Sequence, residues 1–474
     1  MGQSDRSLTR GGYGAALLAG EIFAGIHILM CLFMYSAAPD GPPWNYLFLS
    51  VEFAAAAVAA VTFLWSFLRS ERLGAPDADR FLTLLRSLRF AAFYCLAAWS
   101  VWAVAACFLA VSEGMSSLFH NARYLFYLAA SLLILFPLGY ALGMERDTRL
   151  LRWVYDLGLI FYCLFLLWGF IRFFRGELIF RAFWGKEFDF TVPRPRFGQN
   201  QNSTGAYCAF FLIAGIWRLS TAKRNISKAL LGLLLVPLFA AFALTESRAA
   251  IIACAFCFGV FAGCFVYRHR GKKDLTTVFL AVLAFAAAIG IFLAVYYGCR
   301  SALGDLQQMM LAGEETVEEG IGESRELVGE NASNLAGRLR VWKAVTECIL
   351  HDRHLLIHGC SQAATSGTVL QLIGKNYNTH NQFLEILLAQ GLPALVFYCV
   401  WLVWTAGKSL FLAFNSAGRD GRWILPLPLL FLVIDNLSET MLAGRGHFVG
   451  GMFFLIAGMA GGLCAAEKAG PDTR

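Results

Sequence analysis

Three side chains in this sequence have the types and positions needed for proton abstraction and phosphate binding at a membrane surface. His380 precedes a long apolar run in NTHNQFLEILLAQGLPAL (378–395), Arg248 lies in a short turn between two apolar runs, and Arg338 lies four residues before Trp342 in a predicted helix. A neutral imidazole can act as a general base. Guanidinium groups bind phosphate through paired hydrogen bonds. Together they predict a site that combines a general base with groups that bind phosphate or another anion.

His380 also has a structural interpretation. Thr379 and Gln382 fit a capping box, T-x-x-Q, which would place His380 at the first helical position. There the helix dipole disfavours the protonated ring, so the imidazole would be neutral, the state a general base needs. The alternative is a histidine that only caps the helix.

The two arginines have structural alternatives as well. Arg248 could pair with Glu246 inside its own turn, and Arg338 could pair with a surface glutamate or extend along the membrane. An ionisable group close to hydrocarbon is costly and usually faces a polar cavity or the interior of a bundle. We therefore expect Arg248 to face a polar site.

The elements that must position these residues are membrane helices. The chain has 474 residues, of which 58% are hydrophobic and 15% charged, and its mean hydropathy is +0.59. Soluble domains carry about 25% charged residues. A bilayer is crossed by about 20 apolar residues, and about twelve such runs occur. The sequence predicts an all-α integral membrane protein with about twelve transmembrane helices.

The apolar runs divide the chain into three predicted parts. Residues 1–298 hold helices 1–9, residues 299–382 form one large extracytoplasmic loop domain, and residues 383–474 hold helices 10–12. The runs are approximately 13–35, 44–68, 90–111, 118–142, 153–174, 204–219, 229–245, 249–267, 276–298, 383–406, 423–440 and 447–465.

Basic residues orient the predicted helices. Loops rich in Arg and Lys alternate along the chain with loops that carry few or none, and cytoplasmic loops collect such residues. Both termini should therefore be cytoplasmic, and the large loop should face outward with Arg248, Arg338 and His380. The formal net charge of +7 has the same origin, so it does not indicate nucleic-acid binding. The basic loops are 69–89, 144–152, 218–228, 268–274 and 408–422.

Two clusters in the large loop have open roles. Seven glutamates make the stretch 313–330 acidic, which indicates a solvated helix face or a flexible lid, with contact to a cation or an acceptor as the alternative. On a helix, His351, His354 and His358 would lie along one face, and such a set of histidines could bind zinc. Gly359 instead indicates a helix end that turns back toward the membrane. We predict no metal site.

Several segments, in consistent order, resemble motifs of the bacterial O-antigen ligase and O-antigen polymerase superfamily of membrane glycosyltransferases. Where that superfamily has a Gly-x-Gly turn, this chain has Cys360-Ser361 after Gly359 and lacks the second glycine. The segments are RPRFGQNQNSTGAY (194–207), LTESRAAI (244–251), RLRVW (338–342), LLIHGCS (355–361), HNQFLEILLAQGLPAL (380–395) and DNLSETML (435–442).

The resemblance implies an inverting transferase that needs neither metal nor cofactor. Its donor would be an undecaprenyl-diphosphate-linked glycan, used at the outer face of the bacterial cytoplasmic (inner) membrane. Arg248 and Arg338 would bind the diphosphate, and His380 would activate the acceptor hydroxyl. Two guanidiniums can neutralise the charge that grows on a diphosphate leaving group.

Further arginines could support these three residues. Arg340 could take the place of Arg338, from which it differs in the helix face that it occupies. Arg194 or Arg196 could contact the donor glycan. These remain supporting candidates.

Asn381 and Glu439 complete the candidate set. Asn381 is expected to support the helix start rather than the chemistry. Glu439 either binds the acceptor or, as we favour, pairs with Arg445.

The acceptor remains open between several functions. A ligase would transfer glycan to lipid A-core in lipopolysaccharide biosynthesis, and a polymerase would transfer it to another lipid-linked saccharide repeat. Arg194 and Gly205 bracket ten residues, which resembles a polymerase motif. A protein oligosaccharyltransferase is a third possibility. The alternative from a different class is a twelve-span transporter or flippase, although such proteins tend to carry internal repeats and charged midplane sites.

Overall fold

The computed structural model describes residues 10–36, 50–58, 61, 91–182, 186–270, 274–312, 333–374, 378–415, 422–442 and 446–468. The acidic stretch at 313–330 lies outside these residues. Fifteen α-helices are bounded within the described part of the chain, and residues 50–58 are helical as well.

Five helices precede a small β-sheet in the chain. A π-helical segment, Ala130–Leu135, joins the third helix to the fourth, so that 118–144 form one continuous rod. These helices are α1 (Arg10–Ser36), α2 (Ala91–Ser112), α3 (Leu118–Ala129), α4 (Phe136–Met144) and α5 (Arg149–Phe174).

Ten helices follow the sheet. A short 3₁₀ helix, Arg422–Ile424, precedes α14. The ten are α6 (Gln201–Thr221), α7 (Asn225–Thr245), α8 (Arg248–Arg270), α9 (Leu275–Leu311), α10 (Ser333–His351), α11 (Arg353–His358), α12 (Thr365–Ile373), α13 (Gln382–Asn415), α14 (Pro426–Asp435) and α15 (Phe448–Lys468).

Eight helical rods of the described chain are long and apolar enough to cross a membrane. The predicted helical membrane architecture is thereby confirmed, whereas the count of twelve spans stays a prediction. Helix α14 has only 10 residues, shorter than the predicted run at 423–440. The eight rods cover 94–112, 118–144, 149–174, 225–245, 248–270, 275–311, 382–414 and 448–467.

Helix α9 continues well past the predicted start of the loop domain at residue 299, because it ends only at Leu311. Its C-terminal third carries Arg300, which is fully buried. The division of the chain into three parts stays a prediction.

A three-stranded antiparallel sheet lies between α5 and α6. Its strands are β1 (Ile179–Arg181), β2 (Glu187–Asp189) and β3 (Arg196–Phe197), in the order β1-β2-β3. Phe188 and Phe197 alternate with polar neighbours and are buried, as a half-buried strand requires. The sheet precedes the first turn of α6.

Helices α10, α11 and α12 share a small core outside the main bundle. Val341, Val345 and Ile349 recur every four residues on one face of α10 and are buried. They pack with Leu355 of α11 and Val369 of α12. This packing fixes the rotation of α10 and therefore the direction of Arg338.

Two glycines let α11 pack directly on the backbone of α13. Gly391 has φ +77°, and a Cβ there would lie 2.1 Å from the Ile357 carbonyl oxygen. Gly359 has φ +72°, and a Cβ there would lie 2.4 Å from the Ala389 carbonyl carbon. Only glycine fits such an approach at positive φ. The turn after α11 is consequently held against α13.

Candidate functional site

Glu439 is the centre of the candidate site. Arg338 Nη2 donates to Glu439 Oε1 at 2.8 Å, and His380 Nδ1 lies 3.5 Å from Glu439 Oε2. The Glu439 side chain is 5% exposed and the Arg338 side chain 20% exposed. One carboxylate thus brings together the predicted phosphate-binding arginine and the predicted base.

Asn202 and Arg194 extend this arrangement toward the turn before α8. Asn202 Nδ2 donates to Glu439 Oε1 at 3.0 Å, and its Oδ1 accepts from Arg194 Nη2 at 2.7 Å. Arg194 Nε donates to the Thr245 carbonyl oxygen at 2.6 Å. A continuous hydrogen-bonded chain therefore runs from the end of α7 to Glu439.

The turn between α7 and α8 is closely packed. A Cβ on Gly205 would lie 2.5 Å from Ser247 Cβ, so the start of α6 lies directly on the turn. Glu246 has φ +47° and accepts from the buried Arg300. Glu246 therefore has an ionic partner on α9, Arg300. Arg248 begins α8 and is partly exposed.

The predicted capping box is wrong. Helix α13 begins at Gln382, and Asn381 caps it, because Asn381 Oδ1 accepts from the backbone N–H of Phe383 at 2.9 Å and of Leu384 at 3.1 Å. His380 lies before the helix with φ +48°, not at its first helical position. The dipole argument for a neutral ring therefore loses its geometric basis.

Thr379 does not cap the helix because Glu385 holds its side chain. Glu385 is fully buried, and its Oε2 accepts from Thr379 Oγ1 at 2.8 Å. Its Oε1 accepts from Gln362 Nε2 at 2.7 Å and Thr365 Oγ1 at 3.0 Å. A buried carboxylate needs such donors. This network joins the turn after α11 to the residue before His380.

The supporting candidates have different surroundings. Arg340 is exposed on α10, two residues beyond Arg338 and thus on another face. Arg196 is exposed on β3. Glu439 pairs with Arg338, whereas its predicted partner Arg445 lies outside the described residues.

Cys360 lies in the turn after α11 and is buried. Burial raises the pKa of this thiol to about 12. The thiol is therefore neutral at physiological pH, and thiolate is the nucleophilic form. The arrangement instead suits charge stabilisation by arginine and proton transfer to an imidazole.

Sequence reasoning missed the parts that Asn202 and Glu385 play. Asn202 lies in the quoted segment RPRFGQNQNSTGAY, where a polar run directly before an apolar helix was the available signal. Glu385 is a carboxylate inside an apolar run, which usually indicates a paired or functional group. Neither signal reveals which remote side chain is the partner.

Residues 233–399 match the family model described as O-antigen ligase. The matched region contains Arg248, Arg338 and His380, whereas Asn202 and Glu439 lie outside it. The match confirms the resemblance to the O-antigen ligase and polymerase superfamily and indicates a membrane enzyme of the glycosyltransferase type. No curated protein matches the chain.

Proposed function

We propose that this protein transfers a glycan from undecaprenyl diphosphate to a hydroxyl acceptor at the outer face of the bacterial cytoplasmic membrane, as an inverting, metal-independent O-antigen ligase. The observation that carries the proposal is the contact of both Arg338 and His380 with Glu439. A phosphate-binding group and a base must lie this close to act on one glycosidic bond.

Arg338 supports the donor role through its present partner. A carboxylate and a phosphate use the same paired geometry on a guanidinium, so a diphosphate can compete with Glu439 for Arg338. Arg248 adds a second cation at the first position of α8. The N-terminus of a helix attracts anions through its free N–H groups and its dipole. The two arginines would stabilise the charge that develops on the leaving diphosphate.

His380 supports the base role through its neighbour. If Nδ1 carries the hydrogen and faces Glu439, Nε2 is the basic nitrogen that receives the acceptor proton. A carboxylate holds histidine in this way in serine hydrolases. The 3.5 Å separation between His380 Nδ1 and Glu439 Oε2 is longer than a hydrogen bond. Such contacts commonly tighten when substrate binds.

Glu439 would then couple the two substrates. When diphosphate takes over Arg338, the Glu439 carboxylate can move toward His380 and orient it. The acceptor oxygen bonds to the anomeric carbon as its proton passes to His380 Nε2. The bond from that carbon to the phosphate oxygen breaks, and undecaprenyl diphosphate leaves from the opposite side. This single displacement inverts the anomeric carbon.

The identity of the acceptor separates two versions of this function. In a ligase the acceptor is lipid A-core, and in a polymerase it is a second lipid-linked repeat. Arg194 and Gly205, whose spacing resembles a polymerase motif, both pack against the turn at 245–247. This packing explains why both residues are present, whatever the acceptor is. We therefore retain the ligase as the proposed function, and the product of the transfer reaction distinguishes it from the polymerase.

A reconstituted transfer reaction tests the proposal. Purified protein would receive undecaprenyl-diphosphate glycan with either lipid A-core or a lipid-linked repeat, in buffer without added metal. We expect a single glycan joined to lipid A-core, and a ladder of lipid-linked products would indicate the polymerase. Absence of transfer to both acceptors would overturn the proposal and favour the transporter.

Variants assign the roles within that reaction. His380→Ala should lower the rate about 10²–10⁴-fold, the usual contribution of a positioned base. Arg338→Ala and Arg248→Ala should also abolish most transfer. Arg340→Ala is the matched control, because this arginine is exposed on the same helix as Arg338. Undiminished transfer by His380→Ala would rule out the base role.

A further inference from the structure

Glu113, His354 and His358 form a second polar cluster, outside the candidate site. Glu113 follows α2, and the two histidines lie one turn apart on α11. Glu113 Oε1 lies 2.6 Å from His354 Nδ1 and 3.3 Å from His358 Nε2. One ligand atom from each residue lies within 4.8 Å of the other two. His351 ends α10 and is not part of this cluster, and the sequence alone had predicted no metal site here.

The hydrogen bonding of His358 indicates that a cation belongs in this cluster. Its Nδ1 lies 2.9 Å from the Gly359 carbonyl oxygen, which can only accept, so Nδ1 carries the hydrogen. In the neutral ring Nε2 then holds a lone pair, and it faces the Glu113 carboxylate. Two acceptors 3.3 Å apart repel unless a cation, either a proton on Nε2 or a metal ion, lies between them. A histidine whose other nitrogen donates to a backbone carbonyl is the usual form of a metal ligand.

We propose that Glu113, His354 and His358 bind one divalent transition metal of the zinc type. Two imidazoles and one carboxylate are a common zinc ligand set, and water would complete the tetrahedron. With Zn–N and Zn–O bonds of about 2.0–2.1 Å, neighbouring ligand atoms lie about 3.3 Å apart. The His358–Glu113 separation has this value, and His354 must move outward. Its side chain is 66% exposed and can do so.

The metal would act as a structural link between two parts of the outer surface. It would join the end of α2 to α11 beside two existing contacts, Ser116 Oγ with Ser361 Oγ at 2.8 Å and Asn121 Oδ1 with Ala363 N at 3.2 Å. The ligands are distinct from the residues that contact Glu439. Binding is therefore expected to raise stability and to leave the proposed chemistry metal-independent.

The test is metal content and thermal stability of the purified protein. The full chain, purified with a tag that contains no histidine, is stripped with EDTA, dialysed and titrated with Zn²⁺. We expect one zinc per chain by elemental mass spectrometry and a rise in Tm. Co²⁺ should give the visible absorption bands of a tetrahedral site. Failure to retain zinc, or an unchanged Tm in excess zinc, would overturn the proposal.

Variants distinguish this site from adventitious binding. Glu113→Gln and His354→Ala change partly or largely exposed side chains and should fold, yet both should lose the bound zinc and the rise in Tm. His351→Ala is the matched control, because that exposed ring lies 2.7 Å from the Glu347 carbonyl oxygen of its own helix. Equal zinc content in His354→Ala and wild type would contradict the proposal. Neither readout depends on glycan transfer, so the two proposals fail separately.

Discussion

Trp342 donates the hydrogen of its indole Nε1 to the carbonyl oxygen of Thr379 at 2.9 Å. Trp342 lies one helical turn after Arg338 on α10, and Thr379 directly precedes His380. This bond links the helix of the proposed phosphate-binding arginine to the loop of the proposed base without using Glu439. The bond therefore keeps Arg338 and His380 in fixed relative positions even when Glu439 changes partner.

Trp342→Phe should weaken transfer while the fold persists. Phenylalanine keeps most of the apolar ring but loses the N–H, which costs about 1 kcal/mol for a neutral hydrogen bond. We expect a lower kcat and a Tm lowered by a few degrees. Trp153→Phe, at a side chain 68% exposed on α5, is the control. Wild-type kcat in Trp342→Phe would show that this bond does not position His380.

Glu439→Gln should separate donor binding from catalysis. The neutral amide competes less with diphosphate for Arg338, so KM for the donor should not rise. The amide also orients the imidazole less strongly than a carboxylate, so kcat should fall about tenfold or more. Steady-state kinetics at varied donor concentration measure both KM for the donor and kcat. Glu347→Gln, on the exposed side of α10, is the control, and a raised donor KM with unchanged kcat would contradict the proposed coupling.

Asn202→Ala should weaken the hydrogen bonding of Glu439 to α6. Asn202 is the link between Arg194 and Glu439, so its loss leaves both with one partner fewer. We expect transfer to fall, with a smaller effect than that of His380→Ala because no reacting group is removed. Initial rates at saturating donor measure this. Asn225→Ala, exposed at the start of α7, should behave as wild type.

Glu385→Ala should be among the most destabilising substitutions of a polar residue. The carboxylate is fully buried and accepts from Gln362, Thr365 and Thr379. Hydrogen bonds to a charged group contribute about 1.5–3 kcal/mol each, and their donors would remain buried without partners. We expect a large fall in Tm and in folded yield, with milder loss in Glu385→Gln. A stable Glu385→Ala protein would mean that water replaces the carboxylate.

The sequence selected the candidate site residues, whose roles stay predictions, but not their partners. Residue type and the distance to an apolar run were enough to select Arg338 and His380. Partners were sought nearby, so Glu439 was paired with Arg445. The partner observed for Glu439 is Arg338, 101 residues away in the chain. Such pairs depend on how helices pack, and local spacing carries no information about that packing.

The start of α13 shows a second limit. Thr379 and Asn381 are both favourable caps two residues apart, so local rules allow two registers. The choice is made by Glu385, which binds the Thr379 hydroxyl and leaves Asn381 to cap the helix. Helices and their apolar faces were predictable from periodicity. The residue that caps α13, which sets the position of His380, depends on the contact between Glu385 and Thr379 and was not.

Ser361 provides the last prediction, at the place where the chain departs from the Gly-x-Gly turn of the superfamily. Ser361 is buried and has φ +72°, a conformation that favours glycine. Its backbone N–H donates to the Ala389 carbonyl oxygen at 2.9 Å, and its Oγ lies 2.8 Å from Ser116 Oγ. The side-chain bond thus offsets the backbone strain, which is about 1 kcal/mol.

Ser361→Gly removes the strain and the bond together, so we expect Tm close to that of wild type. Ser361→Ala keeps the strain and loses the bond, and should be less stable by about 1 kcal/mol. In a Ser116→Ala background, where the bond is already absent, Ser361→Gly should raise Tm. Thermal unfolding of the four variants in one detergent measures this order. A Ser361→Gly protein less stable than Ser361→Ala would mean that the turn tolerates serine without strain.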